Sequence, residues 1–141
     1  MIVIVDYGLG NISNVKRAIE HLGYEVVVSN TSKIIDQAET IILPGVGHFK
    51  DAMSEIKRLN LNAILAKNTD KKMIGICLGM QLMYEHSDEG DASGLGFIPG
   101  NISRIQTEYP VPHLGWNNLV SKHPMFCLLY TSPSPRDRTR S

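Results

Sequence analysis

Three times before residue 80 the chain runs through a short apolar stretch and breaks at a glycine. Met1 to Val5 leads into Tyr7-Gly8-Leu9-Gly10-Asn11, Thr40 to Leu43 into Pro44-Gly45-Val46-Gly47, and Met73 to Ile76 into Cys77-Leu78-Gly79. Near-continuous apolar runs of this length suit strands covered on both faces. Between them the apolar residues change to helical spacing. Ile12, Val15, Ile19 and Leu22 form one such series, with Asn11 placed to cap it and Gly23 to stop it. Phe49, Met53, Ile56 and Leu59 form a second, and Leu61 to Ala66 a shorter third. Glu25 to Ser29 adds one more strand through Val26, Val27 and Val28. Strand and helix alternate, which predicts an α/β fold built on an open, mostly parallel sheet with helices on both faces. In such a sheet ligands collect at the carboxyl ends of the strands, and all three glycine turns fall on that edge.

The alternation fades beyond Tyr84. Ser87-Asp88-Glu89-Gly90-Asp91-Ala92-Ser93-Gly94 reads as a polar loop, followed by a strand-like stretch at Ile102 to Gln106. From Cys127 onward CLLYTSPSPRDRTRS has no periodicity and resembles the in-frame translation of a sequencing-library adapter. The expected organisation is one domain over 1–126, incomplete at its C-terminus, and over 127–141 a disordered basic tail foreign to the fold. One domain is also what 141 residues can hold. Charge is balanced, with 14 Lys and Arg against 14 Asp and Glu, so nothing draws the chain to nucleic acid or to a membrane surface. The apolar run at Met1 to Val5 is too short for a signal-peptide core or a membrane span, and the expected location is cytoplasmic.

With 127–141 set aside, Cys77 is the only cysteine. An isolated cysteine is most often plain core packing. Its frame here points elsewhere, because Gly75-Ile76-Cys77-Leu78-Gly79 joins an apolar strand to a helix, the setting of a nucleophile elbow. Such a turn lifts the nucleophile above the sheet, and the residues two before and two after must be small because the backbone folds back past them. A sulfur at a helix start also faces unbonded backbone N–H groups, whose partial positive charge favours a thiolate. His21, His48, His86 and His113 have neither H-x-x-x-H spacing nor a C-x-x-C companion, so no metal and no cofactor is expected.

Gly75, Cys77, Gly79 and Gln81 match G-x-C-x-G-x-Q, and on that motif the chain resembles the class I glutamine amidotransferases, whose domain is flavodoxin-like. DYGLGN (6–11), LPGVGHF (43–49), GICLGMQLM (75–83), GLGFIPG (94–100) and PHLGWN (112–117) are similar, in that order, to one branch of the family. That branch is the glutaminase subunits of imidazole glycerol phosphate synthases. The resemblance implies an enzyme that hydrolyses glutamine and works as a heterodimer, handing ammonia to a cyclase subunit that closes the imidazole ring in histidine biosynthesis. It also implies roles by position. Cys77 is the nucleophile that forms a γ-glutamyl thioester. Backbone N–H groups of Leu78 and of Gly45, Val46 and Gly47 make the oxyanion hole. Gln81, one helical turn after Cys77, and Glu89 hold the glutamine, while Asn11, Asn14 and Trp116 meet the cyclase. Each residue has a plainer reading beside this one: an ordinary turn for Pro44 to Gly47, a solvent-facing Gln81, a solvated Glu89, a helix cap for Asn11 and core packing for Trp116.

The same family pattern asks for a histidine followed two residues later by a glutamate, which completes the triad. No histidine here has that partner. His123-Pro124 is followed by Met125, and His123 reads as a surface loop residue. The chain as it stands is therefore expected to lack activity. Two other readings stay open. One is a subunit of another class I amidotransferase, such as that of anthranilate synthase, against which GMQ after the cysteine and PHLGWN both speak. The other is a non-catalytic flavodoxin-like module that keeps the elbow without turnover.

Overall fold

The chain begins in the middle of its own sheet. In the computed structural model, β1 (Ile2–Val5) lies between β2 (Val26–Ser29) and β3 (Thr40–Leu43), and β4 (Lys72–Gly75) pairs with β3. All of these pairings are parallel. The described residues are 1–112, 114–118, 120, 122 and 123. They fall into two units, Met1–Arg104 and Ile105–Ser141.

A central strand must be apolar on both faces, and β1 is: Val3, Ile4 and Val5 are all fully buried. Each such side chain stabilises the fold by about 1.5–3 kcal/mol. Val3, Val5, Ile41 and Leu43 pack into one core, which α2 (Ser32–Ile35), α3 (Phe49–Arg58), α4 (Leu61–Ala66) and α5 (Leu78–Leu82) cover. Ile4, Val26 and Ile42 face the other way, against Ile12, Val15 and Ile19 of α1 (Ile12–His21). Helices on both faces are thus what the alternating strand residues dictate. From β1 the chain steps out to β2, then crosses back to β3, so the strand order reverses between β1 and β3. Crevices of parallel sheets open at such a reversal, at the carboxyl ends.

Several local expectations shift. Asn11 occupies the N-cap position of α1 but makes no side-chain cap bond, whereas Gly23, at φ +86, does end the segment. The fourth strand is Lys72–Gly75 rather than Met73 to Ile76, and α2 has no counterpart in the sequence pattern. Of the stretch read as a polar loop, Ser87 to Gly94, residues 88–91 do form a turn, but Ser87, Ala92 and Ser93 are paired in strands. β5 (Tyr84–Ser87) runs antiparallel to β6 (Ala92–Ser93) and parallel to β7 (Ile98–Ile102), in the order β6-β5-β7. The strand expected at Ile102 to Gln106 therefore ends where it was expected to start. Pro99 and Gly100 hid it, and they are tolerated because β7 is an edge strand whose outer side needs no N–H donors.

The described residues of the Ile105–Ser141 unit form no helix or strand. Ile105, Thr107, Tyr109, Pro110, Val111, Pro112 and Leu114 line a cavity of about 640 Å³ there. The tail expected at 127–141 and His113 lie outside the described residues. No helix among the described residues is long and apolar enough to cross a membrane.

Candidate active site

Cys77 stands two residues past β4, at the N-cap position of α5, with φ +56 and ψ −120. An L-amino acid rarely takes that conformation. The residue is exposed at the carboxyl edge of the sheet. What holds it there is the approach of α5 to the end of β3. Ile76 N–H donates to the Leu43 carbonyl at 3.0 Å. A Cβ on Gly79 would fall onto that same carbonyl, and one on Gly75 would sit 2.6 Å from Met80 N and 2.9 Å from Met83 Sδ. Both glycines of the elbow are required by close backbone packing. The Cys77 carbonyl accepts from Met80 N–H at 3.1 Å and Gln81 N–H at 3.4 Å, so α5 starts at the cysteine. The Leu78 N–H has no partner among the described residues.

The turn after β3 presses on the elbow. A Cβ on Gly45 would lie 2.7 Å from Gly79 N and 2.6 Å from the Tyr7 hydroxyl. Gly47 has φ +101 with open space around it, so its requirement is conformational rather than steric. The N–H groups of Gly45, Val46 and Gly47 also have no partner among the described residues. Unpaired donors on two loops at the sheet edge that also carries the exposed thiol could receive negative charge developing on a carbonyl oxygen attacked by that thiol.

Sequence reasoning missed Tyr7. Its buried hydroxyl donates to the Pro44 carbonyl at 2.6 Å, tying the loop after β1 to the turn after β3 across the strand-order reversal. Burial, and after it the electrostatic influence of nearby Cys77, push the phenol well above its ordinary value, so it remains a proton donor. An aromatic residue directly after a buried strand is a visible signal, but its partner lies 37 residues away.

Gln81 is half-buried on α5, one turn after Cys77. Glu89, in the turn between β5 and β6, is not simply solvated: Oε2 accepts from Phe49 N–H at 3.1 Å, at the start of α3, and Oε1 lies 4.0 Å from His48 Nε2. Asn11 and Asn14 are exposed at the start of α1. Trp116 is 70% exposed. Among the described residues no group of three or more His, Cys, Asp or Glu could hold a metal ion.

A parallel sheet ordered β2-β1-β3-β4, with a glycine-framed cysteine turn at its carboxyl edge, defines an amidotransferase-type α/β domain, and the match to Glutamine amidotransferase class-I spans residues 3–141. The chain belongs to that family. It is 97% identical over 125 residues to the imidazole glycerol phosphate synthase subunit HisH of Staphylococcus aureus, and 58% identical over 125 residues to the subunit of that name from Staphylococcus epidermidis. In both cases 89% of this chain is covered, and the chain spans 65% of the relative's length. A solved structure, "Crystal structure of glutamine amidotransferase", superposes with a TM-score of 0.64 at 18% identity, covering 74% of this chain and 57% of that one, which is a likeness of fold.

Proposed function

We propose that this chain is the glutaminase part of an imidazole glycerol phosphate synthase, with Cys77 as the nucleophile. The observation that carries the reading is the Cys77 turn itself, held at φ +56 between two glycines that admit no side chain, with unpaired N–H groups at Leu78 and at Gly45 to Gly47. In this reading the thiolate adds to the glutamine carboxamide carbon and the oxyanion is met by those N–H groups. The C–N bond breaks as a proton reaches the nitrogen, ammonia leaves, and water then releases glutamate from the γ-glutamyl thioester and restores the thiol. Gln81 and Glu89 bind the substrate glutamine. Ammonia passes to a cyclase subunit, which meets the chain through Asn11, Asn14 and Trp116, in the cytoplasm. The names of the relatives support this branch over other class I amidotransferases.

The test is labelling with a glutamine-like chloroketone in the presence of the cyclase. One equivalent should attach at Cys77, glutamine should protect, and Cys77→Ser should take up none. Labelling that ignores glutamine would sink the assignment. None of the histidines in the 141 residues is followed two positions later by glutamate. Glutamate release by this chain should therefore fall roughly 10²- to 10⁴-fold below that of a chain extended to the relatives' length, the usual contribution of a positioned acid–base group. Equal rates would place the base within these residues.

A further inference from the structure

His86 has an oxygen acceptor at each ring nitrogen. It stands on β5, in register with Ser93 of β6 and Asn101 of β7. Nδ1 lies 2.6 Å from Asn101 Oδ1, and Nε2 lies 2.8 Å from Asp91 Oδ1. The Asn101 amide cannot be turned over, because its Nδ2 donates to Asp88 Oδ1 at 3.1 Å and the turned amide would aim a carbonyl at that carboxylate. A neutral imidazole carries one N–H and cannot serve two acceptors. The arrangement therefore calls for an imidazolium. Asp88 Oδ1, 3.9 Å from Nδ1, adds a second negative charge beside the ring. The other carboxylate on the strand, Glu85, accepts from Gly100 N–H.

What the ring grips is the turn that carries Glu89. Asp91 N–H donates to the Asp88 carbonyl at 3.2 Å, Gly90 and Asp91 have φ of +77 and +46, and Glu89 N–H donates to the Ser87 hydroxyl at 3.1 Å. The turn packs on α3, since a Cβ on Gly90 would lie 2.6 Å from Lys50 Cβ and 2.8 Å from His48 Cε1.

We propose that His86 is a positioning residue for Glu89: as an imidazolium it ties Asp91 directly, and Asp88 through Asn101, to β5 and β7, so that the Glu89 carboxylate stays at the start of α3 and glutamine binding weakens as His86 loses its proton. This rests on the glutaminase reading only in naming glutamine as what Glu89 helps to hold. The sign follows from the surroundings. The Asn101 bond first, and the Asp91 bond second, raise the ring above its ordinary value. The tie is therefore whole below the ordinary histidine range and is lost as the pH rises through the raised value.

Nuclear magnetic resonance of the ¹⁵N-labelled chain tests this. His48 also faces Glu89, so the titration is run in a His48→Gln background. Both ring nitrogens of His86 should show protonated shifts at neutral pH, and the Phe49 amide, which reports the Glu89 bond, should move with the same midpoint. His86→Gln should abolish that movement and weaken glutamine binding roughly 2- to 5-fold, the scale of exposed ionic contacts. Asp91→Asn, at a side chain 94% exposed, should fold normally and lower both midpoints together. A His86 ring with one unprotonated nitrogen at neutral pH, or a Phe49 amide that ignores the His86 midpoint, overturns the proposal. Coupled midpoints without any glutamine binding support the tie and count against the glutaminase reading instead.

Discussion

Tyr7 and Gly47 govern the same turn by different means. Tyr7→Phe removes the bond to the Pro44 carbonyl and leaves a buried acceptor unpaired, which should destabilise the fold by about 1–3 kcal/mol. Chemical denaturation reads it directly, and an unmoved midpoint would show that the carbonyl finds another partner. Gly47→Val meets no clash, but no valine takes φ +101 without shifting the backbone that aims the N–H groups. In an active chain of the relatives' length kcat should drop roughly 10- to 1,000-fold, as when an oxyanion donor is lost, with the fold intact by circular dichroism. An unchanged kcat would make Pro44 to Gly47 an ordinary turn. At this scale the sequence was legible wherever the constraint is local. Gly75 and Gly79 stand out because the elbow needs small residues at fixed spacing. Tyr7 did not, because its role depends on a partner that only the sheet brings near.

Elements followed the same division. β3 and α4 have the bounds that the apolar runs and helical spacing predict, since two covered faces leave a strong pattern. α2 escaped notice because its four residues are held by side chains from elsewhere. Asp36 accepts from Ser32 Oγ at 2.9 Å within the segment, and from Lys67 Nζ and Asn68 Nδ2 at 2.8 Å from the end of α4. Bonds from Asn68 first, then Lys67 and Ser32, lower its carboxyl from 3.8 to about 2. A depressed carboxyl stabilises the fold above its unfolded value and ceases to as the pH falls through the folded one. The urea midpoint should therefore decline between about pH 4 and pH 2 with a contribution that Asp36→Asn removes. Parallel acid profiles for the two proteins would show that the network gives no linkage. β5 to β7 were misread for a related reason, since a strand containing Pro99 and Gly100 is recognisable only by its neighbour.

Over the whole molecule, the gathering of the glycine turns at one sheet edge was legible before any pairing was known. Alternating strands and helices imply a parallel sheet, a parallel sheet collects its glycine turns on one edge, and the turns after β1, β3 and β4 do lie together there. What the sequence withheld was which turns touch. Cys77 shows what that assembly costs. A residue at φ +56 and ψ −120 carries about 1–3 kcal/mol of backbone strain that is released on unfolding. Glycine accepts the conformation, though its looser unfolded chain returns about 0.5–1 kcal/mol of the gain. Cys77→Gly should therefore be inert toward glutamine-like electrophiles yet more stable by about 1 kcal/mol, seen as a higher urea midpoint at equal slope. A lower midpoint would mean that the sulfur's packing outweighs the strain. The domain is then a spring held cocked at one residue, a tension in a single turn that the rest of the fold keeps closed and that unfolding lets go.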